Sequence, residues 1–415
     1  MTPLEAVVRD DWGRLIALLV ARFARLDLAE DGLADAVEAA ARTWPVEGVP
    51  DNPAAWLLTS ARRKVLDRLR AEAVAARRMP LLAVESELTE EVQRTMADAG
   101  EVLVDERLRL VLLCAHPALS REAAAALTLR LVMGVSTEEI ARLFLVPTPT
   151  MAARLTRARK KLAGARFVVP PAAELPGRVS AVADVAYLAF TAGYAPGSGR
   201  DALRVDVAGE ALRLLRVLLA VLPDDYPARD RADLDALLAL MLLQHSRRDA
   251  RVRDGALVLL PDQDRGAWRH DEIAEALEHL RPLVAAPPTP YLLQALIAAE
   301  HAVAPSSETT AWTRIVERYD ELLALGDSPV VRLNRAVAVA EAEGPLAGLT
   351  ALDGVALRSH RLPAVRAELL SRAGRAAEAR VAFDAALAMC ENEAERAHLV
   401  DRRAALSVGS QPPRD

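Results

Sequence analysis

Aromatic residues make up only 4% of this 415-residue sequence, and lysine occurs at just three positions, Lys64, Lys160 and Lys161. Alanine, leucine and arginine dominate instead, and this composition favours helices over strands. Hydrophobic residues account for 52% and charged residues for 27%, so the chain can bury cores and does not resemble a disordered polymer. We expect an all-α protein with two or three domains.

Cysteine is also scarce, with Cys114 and Cys390 far apart in helical patterns. A disulfide framework is not expected, and this usage fits a reducing cytoplasm. The N-terminal segment lacks the basic-then-apolar pattern of a secretory signal. The longest uncharged run, 282–299, contains four prolines, which does not suit a membrane span. We expect a cytoplasmic protein without a membrane partner.

Patterns of catalytic or metal-binding residues are missing as well. The seven histidines do not follow HExxH or zinc-finger spacing. The glycine-rich GYAPGSGRD lacks the lysine of a phosphate-binding loop, and the glycine of PDQDRGAW is misplaced for a calcium loop. The sequence therefore predicts no catalytic residues, no metal ligands, no cofactor and no enzymatic activity.

Helical patterns and proline-rich breaks divide the sequence into parts. The first part, 1–78, contains helical patterns at 4–26 and 28–43. The break TWPVEGVPDN follows, and then a long helix begins near Pro53, with Asp51 or Asn52 as its cap. The more acidic segment 79–104 is predicted to be a linker.

The rest of the sequence is also predicted to be helical. A second helical unit spans 105–166, and the prolines of FVVPPAAELPG place a linker at 167–178. Helix-length segments then recur over 179–410. When Gly344 is aligned with Gly374, two of these segments resemble each other, and their offset is near the length of a tetratricopeptide repeat. We therefore predict a helical extension resembling tetratricopeptide (TPR) repeats.

The chain is acidic, with a net charge of −6, yet residues 150–166 contain six basic residues and no acidic one. Before this segment, Ser136 and Glu139 form an S-x-x-E capping box, which predicts a helix beginning at Thr137. That helix should end before Pro147, because the residue preceding a proline disfavours the helical conformation. Thr148 is predicted to cap the next helix.

The second helix of this pair has two distinct stripes. At about 100° per residue, an apolar stripe should pack on the preceding helix, and a polar, basic stripe should lie about a quarter-turn away. Two short helices, a tight turn and a basic exposed face are typical of a helix-turn-helix. The apolar stripe comprises Met151, Leu155, Ala158 and Leu162, and the basic stripe Thr150, Arg154, Arg157 and Lys161.

The segment from GVSTEEIARLFLV to RLTRARKKL resembles region 4 of the extracytoplasmic-function (group 4, sigma-70 family) sigma factors of bacterial RNA polymerase. LAEDGLADAVEAAARTWP and GVPDNPAAWLLTSARRKVLDRLR resemble region 2 of the same family. YLAFTAGYAPGSG, LALMLLQHSRRDARV, LLPDQDRGAW and SPVVRLNRAVAVAEAEGP are similar to the subgroup with a TPR-like extension. The resemblance covers nearly the whole chain.

This resemblance implies a transcription initiation factor that binds core RNA polymerase and promoter DNA. Reading of the −35 element is implied for Thr150, Arg154 and Arg157, with Arg159, Lys160 and Lys161 near phosphates. Contact with the −10 element is implied for the loop Trp44 to Asn52 and for Arg62, Arg63 and Lys64. Polymerase binding is implied for Glu30, Asp31, Asp35 and Glu38. A peptide or protein is a candidate partner of the extension, which would regulate activity in cis.

The sequence departs from the family pattern at a few positions. Ala34 stands where region 2 usually has glutamine, and Gly32 is expected to weaken its helix by about 1 kcal/mol relative to alanine. In region 4, Ala152 occupies a position that is often basic, and Pro149 replaces a small residue. These changes bear on polymerase affinity and on the promoter sequence.

Other interpretations remain open from the sequence alone. Trp44 and Trp56 suit core packing as well as base contacts, and the acidic residues 30–38 suit an ordinary solvated face. A basic run at a helix C-terminus is also favoured by the helix dipole. Two alternative functions follow: a helix-turn-helix regulator that acts without polymerase, or a helical-repeat scaffold with a degenerate sigma-like head.

Overall fold

A computed structural model describes most of the chain, and its helices fall into two compact units. Unit 1 comprises Met1–Ala186 and Arg213–Pro227, and unit 2 comprises Tyr187–Leu212 and Ala228–Asp415. Both predicted DNA-binding segments belong to unit 1. The described residues are 3–75, 100–144, 146–162, 164–194, 205–253 and 256–408.

The prediction of an all-α fold is confirmed for the residues that the structure describes. Seven of these helices lie wholly in unit 1, and two more are shared by the units. The helices are α1 (Pro3–Phe23), α2 (Leu26–Glu47), α3 (Pro53–Ala75), α4 (Gly100–Cys114), α5 (Arg121–Leu131), α6 (Thr137–Leu143), α7 (Thr148–Leu162), α8 (Leu175–Tyr194) and α9 (Val205–Val221).

Helices α1 to α3 pack together at the N-terminal end of unit 1. Gly32 of α2 lies directly against α3. A Cβ atom at this position would lie 2.7 Å from Cγ2 of Val65 and 3.0 Å from the carbonyl oxygen of Ala61. The glycine that was expected only to weaken α2 therefore allows the two helices to approach each other.

Helix α2 is longer than the sequence predicts. It continues through Pro45 to Glu47, so only residues 48–52 connect α2 to α3. The ring of a proline fixes φ at a value that a helix allows. Because proline has no backbone N–H group, α2 loses a backbone hydrogen bond at this position. Trp44, in the last part of the helix, is buried and offsets that loss with apolar contact.

Helix α1 also packs on α4 and α5. Trp12 of α1 donates from its indole nitrogen to the carbonyl oxygen of Arg130, at 3.2 Å. Gly134 follows α5 with φ +72°, and a Cβ atom there would lie 2.9 Å from the indole ring. A Cβ atom at Gly13 would lie only 2.3 Å from the carbonyl oxygen of Val132. These glycines allow α1 to approach the end of α5.

Unit 2 consists of consecutive helices that pack on their neighbours in the sequence, with a short hairpin between α10 and α11. Within the described ranges, β1 and β2 are the only strands. The elements are α10 (Ala228–His245), β1 (Val252–Arg253), β2 (Ala256–Leu257), α11 (His270–Leu280), α12 (Pro290–Val303), α13 (Trp312–Leu325), α14 (Pro329–Glu343), α15 (Pro345–Ala351), α16 (Arg361–Arg372), α17 (Ala376–Met389) and α18 (Glu393–Val408).

The two glycines that aligned the predicted repeats occupy comparable turns. Gly344 lies between α14 and α15 with φ +99°, and Gly374 lies between α16 and α17 with φ +75°. Both conformations favour glycine because an L side chain would be strained there. Phe383 and Leu370 belong to the apolar core that these helices share.

The predicted linkers only partly coincide with the connections between helices. Most of the segment 79–104 lies outside the described residues, and α4 already begins at Gly100. Helix α8 begins at Leu175, inside the predicted linker 167–178. Part of GYAPGSGRD also lies outside the described residues. Across the parts of the chain that the structure describes, no helix is both long and apolar enough to cross a membrane.

Candidate nucleic-acid interface

Helices α6 and α7 form the helix-turn-helix that the sequence predicts. The capping box is confirmed: the backbone N–H of Glu139 donates to the Ser136 hydroxyl, and the Glu139 carboxylate accepts from the Ser136 backbone N–H. Hydrogen bonds to the Glu139 carboxylate from the side chain and the backbone N–H of Ser136 hold the pKa of Glu139 below its usual value. Helix α7 begins at Thr148 itself, one residue earlier than predicted.

The two stripes of α7 are placed as the sequence predicts. Its apolar stripe is buried, and the neighbouring stripe is polar and accessible. Thr150, Arg157 and Lys161 are exposed, and Arg154 is half-buried. Helix α7 therefore presents one flank with a hydroxyl, two guanidinium groups and an ammonium group to solvent.

The cations on this flank have weak contacts within the protein. Arg154 forms an ion pair of 3.2 Å with the exposed Glu122 of α5 and lies over the Phe144 ring. Arg157 donates to the carbonyl oxygen of Ala153 in its own helix, at 3.3 Å. Exposed ion pairs contribute at most about 1 kcal/mol, so a phosphate or a base could replace these partners.

Arg159 points to the other side of α7. Two residues along a helix correspond to about 200°, which places Arg159 nearly opposite Arg157. Its guanidinium forms an ion pair of 2.5 Å with Glu30 of α2, and its side chain is only 24% exposed. The prediction that Arg159 lies at the DNA phosphates is therefore not supported by its position, because a buried carboxylate already holds it.

Glu30 is buried and was expected on the polymerase-binding surface. Only 5% of this residue is exposed, and its carboxylate also accepts from Nε of Arg130 at 2.6 Å. Arg130 in turn donates to the carbonyl oxygen of Val135 and lies over the Trp12 ring. Glu30 therefore joins α2 to α5 and α7 and is not available to an external partner in this conformation.

The other three acidic residues stay at the surface of α2. Asp31 and Asp35 both pair with Arg68 of α3, at 2.9 and 3.0 Å. Glu38 is exposed and pairs with Arg42 one turn later. The predicted acidic face therefore exists without Glu30, and its charges are partly balanced by neighbouring arginines.

The predicted −10 contacts separate into buried and exposed residues. Trp44 is 6% exposed and packs edge-on against Trp56, with ring centroids 5.6 Å apart. Arg62 is also buried. The prediction that Trp44 and Arg62 contact the −10 element is corrected, because neither side chain reaches the surface. Trp44 also lies in α2 and not in a loop. Arg63 and Lys64 are exposed on α3.

Asn52 is exposed but is already engaged by the protein. Its side-chain oxygen accepts from the backbone N–H of Ala55, at 3.0 Å, and so caps α3. Nearby, Val46 and Val49 are 85% and 45% exposed. These two valines did not stand out in the sequence, and only their exposure beside the short α2–α3 connection identifies them.

Arg130 and Glu122 were also missed by sequence reasoning. Neither belongs to the basic run or to the acidic helix α2. Their partners, Glu30 and Arg154, lie on other helices, so no local spacing could indicate the ion pairs. Only the packing of α5 between α2 and α7 brings these charges together.

A known protein is similar to this chain over most of its length. Over 390 residues, the chain is 40% identical to "Uncharacterized protein R00370" of Rhizobium meliloti (strain 1021). The aligned residues cover 92% of this chain and 90% of that protein. The chain belongs to the family of this rhizobial protein. No solved structure matches it.

Two segments also match described families. Residues 109–162 match "Sigma-70, region 4", and residues 178–283 match "Family of unknown function (DUF6596)". The chain therefore contains a sigma-70 region 4 domain, which ends at the last residue of α7 and includes the whole helix-turn-helix. This domain is a regulatory, DNA-binding one, and it supports a sigma-70-type factor.

Proposed function

We propose that this protein is a sigma factor of the extracytoplasmic-function group with a TPR-like extension. It binds core RNA polymerase and directs it to −35 and −10 promoter elements. The observation that carries this proposal is the accessible flank of α7, with Thr150, Arg157 and Lys161 exposed in a helix-turn-helix held by its capping box. It acts in the cytoplasm.

The −35 element is read by this flank of α7. Arginine can donate two hydrogen bonds to a guanine edge in the major groove, and this role falls to Arg154 and Arg157. Thr150 lies in the first turn of the same helix, and Lys160 and Lys161 lie in its last turn. The lysines meet phosphates, which position the helix without reading sequence.

The −10 element is held near the α2–α3 connection. Exposed Arg63 and Lys64 supply a cationic track for the DNA backbone, and exposed Val46 and Val49 offer apolar contact to an unpaired base. Single-stranded DNA is commonly bound by positive charge beside a surface on which bases pack. Asn52 lies in the connection itself and can exchange its capping bond for a base.

Engagement of both elements requires unit 1 to open. The two elements are about 25 base pairs apart, or ~85 Å at 3.4 Å per base pair. A compact unit of about 200 residues has a radius of gyration of only about 16 Å. Helices α1 to α3 therefore separate from the helix-turn-helix on the promoter, which breaks the contacts of Glu30. Opening also adds Glu30 to the acidic face of Asp31, Asp35 and Glu38 that meets polymerase.

Run-off transcription with purified core RNA polymerase tests this proposal. Templates would be genomic promoter fragments, including the region upstream of the protein's own gene. We expect specific initiation that depends on the protein and is weaker with Arg157→Ala. No transcript and no binding to core polymerase would contradict the proposal.

A regulator that binds duplex DNA without polymerase is the second candidate. The burial of Trp44, Arg62 and Glu30 favours it, because three residues assigned to the promoter or to polymerase are inaccessible in the compact unit. Core-polymerase pull-down separates the two candidates. Retained binding to −35 duplex without any binding to polymerase would favour the regulator.

The extension regulates activity in cis. A peptide or protein partner would occupy the open groove lined in part by Leu349, Arg366, Leu370 and Val381. Truncation tests this role, and it should leave unit 1 intact. Arg213 donates to the carbonyl oxygen of Met133 at 2.8 Å, and Arg213–Pro227 belongs to unit 1. The truncated chain should therefore end at Pro227 and not directly after the region 4 domain. Transcription identical to that of the full chain would contradict regulation by the extension.

A further inference from the structure

Three side chains with metal-binding atoms converge near the C-terminal end of unit 2. His360 precedes α16, Cys390 follows α17, and Glu395 lies in the first turn of α18. The imidazole nitrogen, the thiol sulfur and a carboxylate oxygen all lie within 4.8 Å of one another. Nε2 of His360 is 2.7 Å from a carboxylate oxygen of Glu395.

The ends of α17 and α18 hold two of these groups in place. Cys390 leaves α17 in an extended conformation, and its sulfur lies 3.5 Å from the carbonyl oxygen of Asn392. Asn392 is buried, and its side-chain oxygen accepts from the backbone N–H of Glu395. The turn between the helices therefore positions the thiol and the carboxylate independently of any metal.

We propose that His360, Cys390 and Glu395 bind one Zn²⁺ ion, with water as the fourth ligand. Zinc accepts mixed nitrogen, sulfur and oxygen ligands in a tetrahedron, whereas magnesium and calcium require oxygen ligands. The partial exposure of His360 and Glu395 leaves an approach for the ion and for the water.

The ligand geometry requires only small movements. Ligand atoms at 2.0–2.3 Å from a tetrahedral zinc lie about 3.5 Å apart. The contact between His360 and Glu395 therefore widens by less than about 1 Å, and the sulfur moves toward them by a comparable distance. Arg361, 4.0 Å from Glu395, is 54% exposed and can turn into solvent.

A proton is released when the ion binds. The sulfur–metal bond replaces the S–H bond of Cys390, and the ring nitrogen of His360 binds the ion through its lone pair. The displaced proton goes to solvent, so zinc binds more tightly as the pH rises.

The ion would tie the N-terminus of α16 to the connection between α17 and α18. Sequence motifs do not indicate this site, because its ligands come from the ends of three helices and not from one short segment. The site stands apart from the proposed promoter contacts, so its test does not depend on sigma activity.

Cobalt substitution tests the site on the full chain. The reduced, chelator-treated protein would be titrated with Co²⁺, whose absorption includes a sulfur charge-transfer band when a thiolate binds. The sequence contains only two cysteines, so Cys114→Ala is the matched control for Cys390→Ser. We expect one equivalent of Co²⁺, displaced by Zn²⁺, with the band kept in Cys114→Ala and lost in Cys390→Ser.

His360→Gln and Glu395→Gln give a second measurement. We expect each to weaken zinc binding tenfold or more while the helical circular dichroism stays unchanged. These two variants decide the result if Cys390→Ser fails to fold. The proposal is overturned if the wild-type chain shows no sulfur band, if the band persists in Cys390→Ser, or if both glutamine variants bind zinc as the wild type does.

Discussion

The carboxylate of Glu30 on α2 lies 2.5 Å from the guanidinium of Arg159 on α7, in the interior of unit 1. The same carboxylate accepts from Arg130 of α5 at 2.6 Å. From the sequence, Glu30 was expected to face polymerase and Arg159 to face DNA. In the compact unit the two residues instead form an ion pair with each other. This pair connects α2 to the helix-turn-helix.

Replacing Glu30 with glutamine should destabilise unit 1. The change keeps the shape of the side chain but leaves two partly buried arginines without their counter-charge. Removing one partner of a buried ion pair costs about 3 kcal/mol, which urea denaturation would measure. Glu38→Gln removes the same charge from an exposed pair with Arg42 and should have little effect. Equal stabilities of the two variants would contradict a structural role for Glu30.

Promoter binding should separate α3 from α7. Cysteines introduced at the exposed positions Ala71 and Ala152 can carry spin labels, because native Cys114 and Cys390 are buried. We expect the label-to-label distance to increase by several tens of ångströms when core polymerase and promoter DNA are added. A distance that stays at its value in the free protein would show that unit 1 binds without opening.

Arg157→Ala should weaken binding to −35 duplex. One bidentate arginine–guanine contact contributes about 1–3 kcal/mol, which corresponds to roughly a fivefold to a hundredfold change in affinity. Arg166→Ala removes the same charge from an exposed position after α7 and should change affinity much less. Fluorescence anisotropy at fixed salt measures both variants. If the two lose affinity equally, the basic run acts only through its total charge.

Gly32→Ala should destabilise unit 1 although alanine favours helices. The added Cβ would meet Val65 at 2.7 Å and the carbonyl oxygen of Ala61 at 3.0 Å. Neither neighbour moves freely, since Val65 is β-branched in a helix and the carbonyl is backbone. Gly209→Ala, in the interior of α9 with open space around it, should instead stabilise by up to about 1 kcal/mol. Thermal denaturation compares the two, and stabilisation by both would show that α2 and α3 can move apart.

The capping box should make the stability of the helix-turn-helix depend on pH. Hydrogen bonds from Ser136 lower the pKa of Glu139 in the folded state. A lowered pKa contributes stability that is present above the unfolded pKa and is lost as the pH falls through the folded pKa. The Glu139→Gln variant should lose less stability on acidification than the wild-type chain does. Unfolding measured between neutral and acidic pH would reveal this difference, and its absence would contradict the contribution of the box.

Local patterns determined much of the candidate interface. The Ser136–Glu139 capping box and the apolar stripe of α7 depend on residues three or four positions apart. These interactions lie within one or two helical turns, so the sequence alone indicates them. The same reasoning predicted the all-α class, because composition and helix signals act over short distances.

Tertiary packing decided which charged and aromatic residues remain accessible. Trp44, Arg62, Glu30 and Arg159 belong to plausible binding patterns, yet the first three are buried and the fourth is held by a carboxylate on another helix. Local spacing fixes the face of a helix on which a side chain lies but not what covers that face. That depends on contacts between residues far apart in the sequence, such as the close approach that Gly32 allows, and so only the folded structure determined it.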